Sequence, residues 1–99
     1  MKKLNITEKD MQNMLDILNA LKDKTRLRIV FELMEGRRNV GEIVDSLKMT
    51  QSAVSHQLSF LKKYNLISSE KEGNKVYYFL SDDHVKQVVK LCLTHAREK

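Results

Sequence analysis

The stretch from Asn39 to Lys63 constrains this chain most, because it holds two helical patterns joined by only three residues, Lys48, Met49 and Thr50. Asn39 and Glu42 make a capping-box pair, and Val40, Ile43, Val44 and Leu47 follow at burial spacing on a helix of about two turns. Thr50 can cap the next helix, which the pattern carries from Gln51 to about Lys63. Val54, Leu58 and Leu61 form its apolar stripe, and Ser52, Ser55, His56 and Ser59 lie opposite. A link this short turns the two helices sharply against each other. Leu66, Ile67 and Ser68, a charged run from Glu70 to Lys75 around Gly73, and the β-prone Val76-Tyr-Tyr-Phe-Leu80 then read as a hairpin with a charged tip.

The flanks read as helices. Thr7 and Asp10 open one over residues 8 to 21, with Met11, Met14, Leu15, Leu18 and Leu21 on one face. A second follows Asp23, with Leu27, Val30, Phe31 and Met34 inward, Arg26 and Arg28 pointing elsewhere, and Gly36 closing it. Ser81 is the expected cap of a last helix running from Asp82 nearly to the end. The fold class is thus mainly α with a small β-hairpin, in the order ααααββα, and 99 residues make one domain, 1–99. Zero Pro and three Gly agree with helices rather than a turn-dense β fold. A core this small gains stability by association, which points to a dimer.

Eighteen Lys and Arg against thirteen Asp and Glu leave +5 per chain, a surface suited to a polyanion. The lone Cys92 excludes an intrachain disulfide and a Cys-rich zinc module, and fits a reducing cytoplasm. The basic start has no apolar stretch behind it, so no signal peptide is expected, and no run approaches the ~20 apolar residues of a membrane span. The expected location is cytoplasmic, with no membrane partner.

A short helix, a tight link and a helix with a small polar outer face suit insertion into the DNA major groove, where acidic or bulky groups would be excluded. Gln51, Ser52, Ser55 and His56 are assigned to bases or nearby phosphates, and Lys62, Lys63, Lys71, Asn74 and Lys75 to the backbone. The plainer alternative is that Ser and Gln only cap and solvate a helix start while lysines cover a surface.

The segments LKDKTRLRIVFELMEG and VGEIVDSLKMTQSAVSHQLSFLKKYNLISSEKEGNKVYYFLSDDHV resemble the ArsR/SmtB family of winged-helix repressors over nearly the whole chain. The most specific pieces are Gln51-Ser-Ala-Val-Ser-His-Gln-Leu-Ser-Phe-Leu-Lys62 and Gly73-Asn-Lys-Val-Tyr-Tyr78. The resemblance implies a winged helix-turn-helix homodimer that sits on palindromic double-stranded operator DNA and leaves it when an inducer, usually a metal ion, binds. One group in the family senses through a Cys motif in the third helix, but Val40 to Leu47 has no Cys. Sensing of soft ions through several thiolates is therefore not expected.

Asp82, His84, His95 and Glu98 resemble the last-helix zinc pattern of the family, Asp-x-His followed by His-x-x-Glu. The spacing bears on this independently. His84 and His95 are about 16 Å apart along a helix, too far for one chain to chelate with both. Yet His84, Val88, Leu91, His95 and Glu98 fall on one stripe. Antiparallel pairing about a twofold near Val89 and Lys90 would bring Asp82 and His84 to the partner's His95 and Glu98, giving two symmetric intersubunit sites for Zn2+, with Co2+ as substitute. The alternative is that both ends are polar helix termini suited to the dipole. In that case the chain is a repressor without metal sensing, constitutive or redox-controlled through Cys92, for which a buried, inert thiol is the expectation. An enzyme is not expected, since the four candidates are used as ligands and no phosphate loop or nucleophile elbow is present.

Overall fold

The computed structural model describes residues 4–98; Met1–Lys3, the basic start that entered the reading against a signal peptide, lie outside them. The elements are α1 (Glu8–Leu21), α2 (Lys24–Met34), β1 (Arg38–Asn39), α3 (Val40–Leu47), α4 (Gln51–Lys63), β2 (Ile67–Glu72), β3 (Lys75–Leu80) and α5 (Asp83–Arg97). The expected order holds, with one addition. The two residues of β1 pair antiparallel with β3, Arg38 opposite Tyr78 and Asn39 opposite Tyr77, so the hairpin belongs to a three-stranded sheet ordered β1-β3-β2.

Local chemistry sets the boundaries. Thr7 and Asp10 exchange hydrogen bonds of 3.0 Å at the start of α1, and Asn39 and Glu42 do so at 2.9 Å at the start of α3. Asp23 and Thr50 cap α2 and α4. The chain leaves α3 through Lys48 in the left-handed region, φ 55°, and this lets the three-residue link reverse direction within one turn. At the hairpin tip Gly73 takes φ 66°, the positive value that a two-residue turn with glycine first requires. Glu72 and Lys75 flank it in register.

The core is apolar throughout: Ile29, Val30 and Leu33 of α2, Ile43 and Leu47 of α3, Val54, Leu58 and Leu61 of α4, Leu66 and Ile67 at the entry to β2, Ala20 of α1, and Val85 and Val89 of α5. Each large member contributes about 1.5–3 kcal/mol by leaving water. The phase of α2 differs from the expectation. Ile29 and Leu33 face inward and Phe31 lies at the surface, because α2 packs between α3, α4 and the sheet rather than on one neighbour. The last helix starts one residue later than expected. Its cap is Asp82 and not Ser81, whose hydroxyl pairs with Ser68 and whose N–H donates to the Leu66 carbonyl. The terminal helices touch the body on one side only: α1 leaves Met11, Met14, Leu15 and Leu18 exposed, and α5 leaves Val88 and Leu91 exposed, the latter at 71%.

Candidate nucleic-acid interface and metal-ligand pairs

Burial of Val54, Leu58 and Leu61 turns the opposite face of α4 outward. Gln51, Ser52 and His56 are exposed on it, while Ser55 is half-buried. The N-terminal half of α4 is free of acidic side chains, as approach to phosphate requires. Lys62 and Lys63 lie on the last turn of the helix, away from that cluster. Lys62 Nζ donates to Ser69 Oγ at 2.6 Å, so it ties α4 to β2, and Lys63 Nζ stands over the Tyr64 ring at 5.5 Å. Lys71, Asn74 and Lys75 are exposed around the hairpin tip.

Two arginines, one beside the hairpin and one at the corner of α1, α2 and α4, escaped the sequence reading. Arg37, in the link from α2 to β1, pairs with Glu72 of β2 at 2.9 Å and stacks over Tyr77 of β3 at 4.6 Å. The hairpin, which is the wing of the fold, is thereby fastened through both its strands to the segment that leads into β1, and one of its two acidic side chains is paired. Arg26, read only as pointing away from the apolar face of α2, turns against α1 and α4.

The metal-ligand candidates sit at the two ends of α5. Asp82 is its N-cap, accepting from the N–H groups of His84 and Val85 through Oδ1, and Glu98 is its C-cap. His84 Nδ1 lies 3.4 Å from Asp82 Oδ1, and His95 Nδ1 lies 3.5 Å from Glu98 Oε1. Both rings are exposed, 84% and 80%. Each end therefore offers one imidazole and one carboxylate, and the exposed Val88 and Leu91 lie between them. Among the described residues no three His, Cys, Asp or Glu side chains of one chain gather at a metal-binding distance. The donor set fits zinc in chemistry, two nitrogen and two oxygen ligands, only if the two ends come from different chains.

Asp82 and His84 also line a cavity of about 540 Å³ between α1, the α4–β2 corner and α5, with Asp16, Lys63 and Asn65 on its other walls. Cys92 is exposed in the single chain, contrary to the buried thiol expected. No helix among the described residues is long and apolar enough to cross a membrane.

The chain is similar in sequence and in fold to known proteins. The sequence profile described as "Bacterial regulatory protein, arsR family" matches residues 23–69, which run from the α2 cap into β2. A cadmium resistance transcriptional regulatory protein, the CadC homolog of Staphylococcus aureus, is 37% identical over 97% of this chain and 84% of its own length. The SmtB homolog of Synechocystis, a transcriptional repressor, is 34% identical over 88% of this chain and 66% of its own. Among solved structures, the homodimeric winged helix-turn-helix DNA-binding domain of a possible ArsR-family transcriptional regulator from Mycobacterium bovis superposes with a TM-score of 0.89 at 25% identity, covering 97% of this chain and 89% of that one. With its helix pair, its wing and these relatives, the chain belongs to the ArsR family of bacterial regulatory proteins, which are DNA-binding transcription regulators and not enzymes.

Proposed function

We propose that this chain, as a single domain over residues 1–99, is a homodimeric cytoplasmic repressor that leaves a palindromic operator when Zn2+, or Co2+ in its place, binds at two symmetric sites between the α5 helices. The observation that carries this reading is the pair of His–carboxylate couples at opposite ends of one exposed helix face. Antiparallel pairing of that face supplies each couple with its complement and covers Val88 and Leu91. The exposed apolar face of α1 supports association as well, since patches of this kind mark interaction surfaces. The homodimeric state of the Mycobacterium bovis domain points the same way. The donors favour zinc over cadmium, even beside a relative named for cadmium resistance, because the chain has one cysteine to offer a thiophilic ion.

In this reading Asp82 carries His84 on a capped first turn, Glu98 does the same for His95 on the last, and Val88 and Leu91 set the register between partner helices. Bound zinc supplies a four-coordinate link between the two chains. Gln51, Ser52, Ser55 and His56 meet bases or nearby phosphates, while Lys62, Lys63, Lys71, Asn74 and Lys75 meet the backbone. The arrangement of α5 that joins the four ligands differs from the one that spaces two α4 helices for successive major grooves, so the two ligands oppose each other. Linkage makes this reciprocal: DNA weakens zinc binding by the factor by which zinc weakens DNA binding.

The test starts from a duplex that the wild-type protein enriches out of a randomised DNA pool. Zinc is titrated into the protein–duplex complex and followed by fluorescence anisotropy. Release from wild type, and retention of DNA by His84→Ala and His95→Ala, supports the reading. The exposure of Cys92 favours one other reading, redox control, which predicts release by peroxide and none by zinc. No release by either leaves a constitutive repressor.

A further inference from the structure

Arg26 enters the corner where α1, α2 and α4 meet. Its Nε donates to the Ala20 carbonyl at 2.9 Å and its Nη2 to the Asn19 carbonyl at 3.4 Å. Both acceptors belong to the last turn of α1, whose carbonyls lack helical partners. On its other side Nη1 donates to Gln57 Oε1 at 3.2 Å, and the guanidinium lies 4.1 Å above the centroid of the Phe60 ring. One half-buried cation thus caps the end of α1 and grips the middle of α4. Its own backbone N–H is held by the Asp23 carboxylate at 3.0 Å, so the bridge starts from a fixed point at the head of α2.

We propose that Arg26 is a positioning residue for DNA recognition: it fixes the angle of α4 to α1 without itself touching DNA. The inference rests on reading α4 as the DNA-facing helix and α1 as part of the dimer face. If α1 is anchored against a second chain, the α1–α4 angle sets the separation of the two reading helices, and that separation must match a full turn of the duplex. Arginine is required chemically. The bridge uses three N–H groups in a planar fork and a stacked face, whereas lysine offers a point charge that can satisfy one end only. Phosphate contacts tolerate small rotations of α4, while base contacts do not, so a loosened bridge lowers discrimination before it lowers general affinity.

The experiment compares two duplexes of equal length, one enriched by the wild-type protein from a randomised pool and one scrambled. Affinity for each is measured by anisotropy at several salt concentrations for wild type, Arg26→Met, Arg26→Lys and Gln57→Leu. Folding is checked by circular dichroism and dimerisation by sedimentation. Arg26→Met is expected to cut the enriched-to-scrambled ratio by about tenfold, the scale of one mismatched base pair, with scrambled affinity and salt slope unchanged. Arg26→Lys and Gln57→Leu fall between, and they decide the matter if Arg26→Met does not fold. An unchanged ratio in folded, dimeric variants overturns the proposal. So does a salt slope lowered by about one, because that marks a direct phosphate contact. A wild-type protein that enriches no duplex overturns the reading of α4 itself, and the inference with it.

Discussion

Asp82 Oδ1 accepts the backbone N–H of His84 at 2.9 Å and stands 3.4 Å from that residue's Nδ1, so one carboxylate serves both the cap of α5 and the imidazole beside it. The two roles separate by substitution. Asp82→Asn keeps a capping oxygen and leaves thermal stability unchanged, whereas Asp82→Ala costs about 1 kcal/mol. Both lower zinc affinity by more than about tenfold, the scale that follows from disturbing even a ligand's supporting partner. Thermal melts of the zinc-free protein and competition with a chromophoric chelator read the two effects. Stability loss without loss of zinc affinity would leave Asp82 as a cap only.

The link between Arg37 and Glu72 makes a prediction about charge at the wing. Both side chains are substantially exposed, so their pair is worth about 0–1 kcal/mol and its loss leaves stability nearly intact. Glu72→Gln removes a negative charge near DNA and frees the guanidinium. Operator affinity rises, and the slope of log affinity against log salt steepens by about one. Arg37→Met leaves Glu72 uncompensated and weakens binding. Weaker binding by Glu72→Gln would contradict a DNA-facing wing.

Leu91 and Val88 lie on the outer face of α5, while Val85 and Val89 are its buried anchors. Leu91→Asp therefore leaves the monomer fold intact by circular dichroism and shifts sedimentation at micromolar concentration from dimer to monomer. Affinity for the enriched duplex falls with it, since one half-site is lost. A Leu91→Asp protein that remains dimeric would place the interface elsewhere.

The two classes of contact assigned to DNA differ in their signatures. Ser52→Ala and His56→Ala relax sequence preference with little change in salt slope. Lys71→Ala and Lys75→Ala weaken binding to enriched and scrambled duplexes alike, each flattening the salt slope by about one. Lys62→Ala has a smaller effect on that slope than Lys71→Ala, because Lys62 Nζ is already held by Ser69. Anisotropy on both duplexes at three salt concentrations checks all five.

Sequence pattern exposed the helix pair plainly, because Val54, Leu58 and Leu61 repeat at helical spacing and face a polar row, while Asn39–Glu42 and Thr50 mark both starts. The phase of α2 was less legible. Its apolar residues occupy more than one side, and only the packing of α3, α4 and the sheet chooses Ile29 and Leu33 over Phe31. The pairing of Arg38–Asn39 with β3 is tertiary and has no local signature. Ser81 and Asp82 can both cap a helix, and the contact of Ser81 with Ser68 decides between them. The spacing of His84 and His95 was visible, and the structure sets each beside a carboxylate at opposite ends of α5. The inward aim of Arg26 was not, since a charged residue satisfied by backbone carbonyls reads like one satisfied by water.

Mixed dimers test the intersubunit site most directly. One tagged chain carries His84→Ala and the other, differently tagged, carries His95→Ala; the heterodimer is purified through both tags and its zinc stoichiometry is titrated. If each site combines Asp82 and His84 of one chain with His95 and Glu98 of the other, both parent homodimers lose tight zinc, and the mixed dimer regains one ion from the complementary intact half-sites. A mixed dimer that binds no more zinc than its parents, or a parent homodimer that keeps two ions, contradicts the account.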